Sequence, residues 1–294
     1  MDELDELNGL KNNIKDFAGK AGIDLLGFAA KDRFIGLDAR YNPFSIFPEG
    51  ETVILIGRRI TRGTLRGTEE GSNFGDYRMF GSSWLEDNFL AQSCYDLTCF
   101  IENAGYEAVP VFPNPKESYG MGAPVAAGRP APNVAPDFDY AAVACGLGEI
   151  GLNGEFLSYR FGPRQRFQMI ITDAKLTNDP IPDKKICDKC GRCAKICPLD
   201  AIALEETEEI IICGKNMAVA KINYSMCKRC ANGANGNRLH GGAKPDRKAA
   251  LCNRTCMINL EEKNLINNTF ENPFRTSPAW GRDAFDQNIK VEEG

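Results

Sequence analysis

Apolar residues recur at helical spacing early in the chain. Leu10, Ile14, Phe17, Ala18 and Ala21 predict an amphipathic helix over residues 9–21. Gly22 breaks it, and residues 23–29 read as a strand. Residues 52–56 (TVILI) form a short, β-branched run ending at Gly57, the pattern of a buried strand. Between these, residues 42–50 contain Pro43 and Pro48 and read as a loop. A second helical period covers residues 84–104, with Leu85, Phe89, Leu90, Cys94, Leu97, Phe100 and Ile101 on one face. Gly105 then serves as its C-terminal stop, and residues 106–112 read as a strand. This order predicts α/β layers.

The pattern then changes. Residues 113–136 are rich in Pro, Gly and Ala and too long for a simple connector, which suggests a functional lid or binding segment. A further helix starts near residues 137–140 and runs through AAVACGLG, with Asp137 and Asp139 as N-cap residues. Gly146, Gly148 and Gly151 mark turns or close backbone approaches. Residues 167–172 (FQMIIT) read as another strand, and residues 173–185 as a polar linker. The expected organisation is an α/β domain over 1–180, a cysteine-rich module over 181–265 and an extension over 266–294.

Composition narrows the chemistry. The 294 residues are 43% hydrophobic, enough for a real core, and the formal charge is −5 with both signs mixed. That balance argues against nucleic acid as a partner, since a basic stripe would be expected. No run of 18 apolar residues predicts a membrane span. The start, MDELDELNGLKNNIK, is neither a secretory signal nor a twin-arginine leader, so a cytoplasmic location is expected. The single histidine, His240, leaves no multi-histidine metal site and little room for histidine acid–base chemistry.

Nine of the twelve cysteines lie between Cys187 and Cys256. In a reducing compartment they read as metal ligands or redox thiols. Cys94, Cys99 and Cys145 read as small buried apolar residues. Cys187, Cys190, Cys193 and Cys197-Pro198 form C-x2-C-x2-C-x3-C-P, the bacterial ferredoxin run, whose fourth thiolate crosses to a second [4Fe–4S] cluster. Zinc is the alternative, but zinc does not require the three-residue gap followed by proline. The second set is Cys213, Cys227-x2-Cys230 and Cys252-x3-Cys256, split by the insertion ANGANGNRLHGGAKPDRKAAL. Pseudo-symmetry assigns Cys187, Cys190, Cys193 and Cys256 to one cluster, and Cys197, Cys227, Cys230 and Cys252 to the other. Cys213 is surplus, or replaces one ligand of the second set. The insertion carries Arg238, His240, Lys244, Arg247 and Lys248. It reads as a solvated surface loop, or as a dock for an acidic donor or a phosphate group.

The segment AAVACGLGEIGLNGEFLSYRFGPRQRFQMIITDAKL, followed by the cysteine run and Ala201-Ile202, resembles the corrinoid-dependent iron–sulfur reductases, namely the epoxyqueuosine reductases and reductive dehalogenases. The resemblance implies a nitroreductase-like α/β domain that cradles cobalamin, followed by a two-cluster ferredoxin-like module that delivers electrons to cobalt. It also implies cobalamin held base-off, and no Asp-x-His-x-x-Gly segment is present. Gly146, Gly148, Gly151, Arg164 and Arg166 become candidate corrinoid contacts, the arginines toward amide, carboxylate or phosphate groups. Tyr77 beside Arg78, and Tyr119, become candidate proton donors. Where epoxyqueuosine reductases carry a catalytic Asp, this chain has Pro132.

The expected function is that of a cytoplasmic cobalamin-dependent oxidoreductase that reduces a small organic substrate. Its electrons would come from a low-potential donor such as ferredoxin or flavodoxin. The alternatives are an electron-transfer or corrinoid-reducing protein without its own organic substrate, and a flavin in the N-terminal domain. No G-x-G-x-x-G fingerprint supports direct NAD(P)H use.

Overall fold

A computed structural model describes residues 3–117 and 122–292. The expected mixture of helices and strands is present, in two compact units.

The first unit comprises Met1–Arg58, Glu86–Leu147 and Arg166–Pro182. Its centre is a four-stranded sheet in the order Leu25–Ala30, Thr52–Arg59, Gln165–Thr172, Ala108–Val111. The first pair is antiparallel with Leu25 opposite Gly57, and the last is antiparallel with Ala108 opposite Thr172. Alternation along the strands sorts the side chains by face. Phe28, Ile54, Ile56 and Ile170 join Leu10, Ile14 and Ala18 of the Glu3–Lys20 helix and Cys94, Leu97 and Ile101 of the Ala91–Asn103 helix in one core. On the other face, Gly27 lies so close to Cys145 that a Cβ would fall 2.6 Å from the Cys145 carbonyl oxygen.

Two expectations need correction here. The helix predicted over 84–104 is not α-helical throughout: Leu85–Leu90 is wound as a π-helix and only Ala91–Asn103 is α. The wider turn shifts the phase of the apolar stripe, so Phe89 is exposed while Leu90, Cys94, Leu97 and Ile101 are buried. The helix after Asp137 does not run through AAVACGLG; it is Phe138–Ala144, and Gly146 at φ +71° turns the chain away. Asp137 caps it as expected, accepting from the amides of Asp139 and Tyr140. Residues 173–182 have no regular structure but are tied down. Asp179 pairs with Lys11 at 2.8 Å and accepts from the Phe28 amide, and Asn178 accepts from the Ala30 amide.

The second unit comprises Arg59–Leu85, Gly148–Gln165 and Asp183–Gly294. It holds the hairpin Gly148–Ile150/Phe156–Ser158, the longer hairpin Ile202–Ile212/Lys215–Ile222, and the Leu251–Glu262 helix packed on the short Arg192–Lys195 helix. Trp280–Arg282 pairs with Asn288–Lys290 near the end of the chain. Buried Arg254 of the long helix and Arg275 both bond the Glu69 carboxylate.

Candidate metal centre

All nine clustered cysteines lie in the second unit. None of the described cysteines is in a disulfide. The first three ligand candidates sit where the backbone turns sharply. Lys189 at φ +55° and Gly191 at φ +74° flank Cys190 in the left-handed region, and Gly191 caps the helix that carries Cys193. The chain therefore winds around a point instead of running past it. Cys187 enters from a strap fixed at its amides: Ile186 N and Cys187 N donate to Glu149 Oε1 at 2.8 and 2.7 Å. The Leu152 amide donates to the Cys187 sulfur at 3.4 Å.

The fourth candidate comes from the Leu251–Glu262 helix. Cys252 and Cys256 are four residues apart, so they lie on one face a turn from each other. Cys187, Cys190, Cys193 and Cys256 together line a pocket that Leu152, Leu157 and Leu260 also line. The charges felt by Cys256 after burial are those of Cys193, Cys187 and Cys190, with Cys252 behind them.

Cys252, one turn away, faces Arg247, Cys197, Cys193 and Cys230. Cys227, at the end of the Tyr224–Cys227 helix, faces Arg247, Cys197 and Cys230. Cys197 receives the Ala201 amide at 3.4 Å, and Cys230 the Asn232 side-chain amide at 3.6 Å. The mutual charge effects of Cys197, Cys227, Cys230 and Cys252 associate them as a second group, in which Cys252 also feels Cys193. Each C-x3-C pair sends one thiol to each group. Cys213 stands apart: with Gly214 it makes the two-residue turn of the long hairpin, at φ +48° and +82°, and it is exposed.

Burial pushes Cys193 up to about 12 and Cys227 up to about 11, and raises Cys190, Cys197, Cys252 and Cys256 as well. Neighbouring thiolates add to the effect at Cys193 and Cys256, while Arg247 opposes it at Cys227 and Cys252. Buried thiols of this kind ionise only against nearby positive charge. Among the described residues, no group of three His, Cys, Asp or Glu side chains is arranged to hold a single metal ion.

The other candidates are placed differently. Gly146 packs on the 180–181 backbone, where a Cβ would fall 2.2 Å from the Pro180 carbonyl oxygen. A Cβ on Gly148 would fall 1.9 Å from the Leu157 carbonyl oxygen, and one on Gly151 2.8 Å from the Leu157 side chain. These glycines therefore have a packing reason within the protein. Arg164 is buried and donates to the Ile60 carbonyl and to Asn268 Oδ1. Burial lowers its pKa to about 10. Arg166 pairs with Glu86 at 3.3 Å. Tyr77 is buried among Ile60, Leu65, Leu85 and Phe274, and its hydroxyl donates to the Asp246 carboxylate at 2.8 Å. Tyr119 lies outside the described residues. Sequence reasoning passed over Glu149, whose only signal is a lone acid in an apolar, Gly-rich run, and over Glu155, which binds Arg247 and Lys248.

What the fold and the centre define is a mixed α/β chain with two groups of four thiols in one of its units. No family model matches the chain. A stretch of 126 residues is 30% identical to the tetrachloroethene reductive dehalogenase of Dehalobacter restrictus, covering 42% of this chain and 19% of that protein. The matched stretch thus spans under a fifth of the relative's length. The structure is similar in fold to a catabolic reductive dehalogenase solved in complex with 3-bromo-4-hydroxybenzoic acid. The TM-score is 0.53 at 13% identity, over 95% of this chain and 45% of the other. A crystal structure of epoxyqueuosine reductase with a tRNA stem loop also matches, at a TM-score of 0.44 and 17% identity, over 66% of this chain and 53% of that one. The curated match agrees with the resemblance read from the sequence, and the dehalogenase structure agrees with its fold. Among the described residues, no helix is long and apolar enough to cross a membrane.

Proposed function

We propose that this chain is an iron–sulfur reductase of the corrinoid-dependent kind, with two [4Fe–4S] clusters relaying single electrons to cobalamin for reduction of a substrate. The observation that carries the reading is the sorting of eight cysteines into two groups of four, one of which lines a single pocket. Cys187, Cys190, Cys193 and Cys256 would hold one cluster. Cys197, Cys227, Cys230 and Cys252 would hold the other. Each sulfur that accepts a backbone or side-chain amide is an added donor interaction of the kind that stabilises a reduced cluster. Cobalamin supplies a reducible cobalt when bound. Its contacts are not assigned to Gly146, Gly148, Gly151, Arg164 or Arg166, which the protein itself engages.

The test is anaerobic reconstitution with iron and sulfide, then with cobalamin. About eight irons per chain are expected, with an EPR signal after dithionite reduction and a shift of added cobalamin to its base-off spectrum. About four irons would remove the two-cluster reading. Eight irons without any cobalamin shift would leave an electron carrier in place of a corrinoid enzyme.

A further inference from the structure

Asn232 opens the insertion after Cys230, an Asn- and Gly-rich stretch whose composition reads as solvated surface. It is instead fully buried. Its side-chain amide lies against the backbone of Arg282, in the hairpin Trp280–Arg282/Asn288–Lys290. Asn232 Oδ1 accepts the Arg282 amide at 2.6 Å, and Asn232 Nδ2 donates to the Arg282 carbonyl at 2.9 Å. Only one orientation of the side-chain amide serves both partners, because the opposite one sets oxygen against oxygen and N–H against N–H. The amino group carries a second hydrogen. It is left for the Cys230 sulfur, 3.6 Å from Nδ2. The main chain of the same residue reaches the helix that carries Cys252. The Asn232 carbonyl accepts the Leu251 amide at 2.9 Å and Arg254 Nη1 at 3.2 Å. The hairpin meets neighbouring segments as well. A Cβ on Gly281 would fall 3.4 Å from Cγ of Pro198, the residue after Cys197. Arg229, before Cys230, donates to the Ala284 carbonyl at 3.3 Å. Hydrogen bonds and packing thus join the chain beside Cys197, Cys230 and Cys252 to a hairpin that the sequence places in an extension.

We infer that Asn232 is a positioning residue for the cluster held through Cys230: the Arg282 backbone fixes its amide so that one N–H points at the Cys230 sulfur and stabilises the reduced cluster. The inference rests on the two-cluster reading and deepens it. Reduction adds one electron to the cluster and makes or breaks no bond. The added charge falls partly on the sulfurs, so an N–H donor to a ligand sulfur is worth more after reduction than before. A side-chain amide held at two points by a backbone keeps that donor in place in both states. The hairpin acts on the cluster through this amide, and the Arg282 side chain takes no part, since it turns to Asp286 at 3.1 Å.

The experiment is an EPR-monitored potentiometric titration of the full chain, reconstituted anaerobically and reduced in steps with dithionite. The wild type is expected to show about eight irons and two one-electron steps. Asn232→Asp keeps an oxygen for the Arg282 amide and puts an oxygen where the donor was. It should lower one step by roughly threefold to tenfold in its reduction equilibrium, ~28–59 mV for one electron, and leave the other in place. Asn232→Ala loses the donor without adding an acceptor and should lower the same step by less. Arg282→Ala keeps the backbone that clamps the amide and should move neither step. Unchanged potentials in both Asn232 variants with full iron would overturn the inference. So would a drop in Arg282→Ala equal to that in Asn232→Asp, which would place the effect in the arginine's charge. If both Asn232 variants lose iron, the wild type decides. Grown with asparagine isotopically labelled only in its side-chain nitrogen, it should show that nitrogen coupled to a reduced cluster in pulsed EPR, and no coupling overturns the inference. Failure of the underlying reading looks different, since a wild type with about four irons shows a single step.

Discussion

Glu149 is the residue whose removal should unmake the first cysteine group. Its side chain and that of its partner Lys215 are each 3% exposed, with Lys215 Nζ 3.5 Å from Oε2. Oε1 accepts the amides of Ile186 and Cys187. Oε2 makes no hydrogen bond and depends on the lysine's charge. Lys215 in turn donates to the Tyr159 hydroxyl at 2.8 Å and to the Lys184 carbonyl. Burial, with the Glu149 charge second, pushes Tyr159 up to about 12, so it stays a neutral partner for the lysine. Glu149→Ala orphans two amides, each worth ~1–3 kcal/mol if buried unpaired, and leaves a buried ammonium without its counter-charge. Removing one member of such a pair costs ~3–5 kcal/mol. The amide loss is part of that figure and is not added to it. At about 2–4 °C per kcal/mol for a unit of this size, the melting temperature should fall by roughly 6–20 °C. Glu149→Gln keeps an oxygen for the amides and loses only the charge, so it should fall less. The assay is thermal unfolding by circular dichroism of metal-free and reconstituted protein, with iron counted on each. A Glu149→Ala protein that melts within about 2 °C of wild type with full iron would refute the reasoning.

Cys213→Ala should retain both clusters, because the residue forms an exposed hairpin turn, whereas Cys230→Ala should lose about half the iron; equal iron in the two variants would sink the ligand choice. Gly148→Ala should destabilise the protein by ~1–3 kcal/mol or more, since its Cβ would meet the Leu157 carbonyl oxygen. The deficit should be the same without cobalamin, and a Gly148→Ala protein of wild-type stability that fails to bind cobalamin would reverse the packing reading. Glu69 titrates below its ordinary value: burial raises it, and Arg275 and Arg254 together outweigh burial. Its carboxylate therefore adds stability above the unfolded pKa of ~4.3, and that contribution is lost as pH falls through the lower folded value. Unfolding midpoints measured from pH 3 to 6 should decline more steeply in wild type than in Glu69→Gln, and parallel curves would contradict the assignment.

Spacing made the placing of the thiols legible because its rule is local. A three-residue gap puts two thiols one helical turn apart, and this holds for Cys252 and Cys256 wherever the helix docks. The same locality made Asp137 readable as a cap and Thr52–Arg59 readable as a buried strand. What stayed hidden depends on partners distant in sequence. Phe89 failed because period counting assumes 3.6 residues per turn, and Leu85–Leu90 is wound wider. Arg247 failed because a charged residue in a Gly- and Asn-rich insertion is usually solvated. Its burial is decided by Glu155 and Asn153, on the Gly148–Ile150/Phe156–Ser158 hairpin. That hairpin is also where Gly148 and Gly151 pack and where Glu149 holds the Cys187 strap. The segment that carried the family resemblance therefore has a second reading: residues 148–157 brace their own unit, Glu149 through the amides of Ile186 and Cys187 and Glu155 through Arg247 and Lys248. A glycine-rich motif next to a ferredoxin run suggests a ligand cradle by analogy. In this chain Gly148 and Gly151 pack on Leu157, Glu149 holds the Cys187 strap, and Glu155 after Gly154 pairs with Arg247 and Lys248.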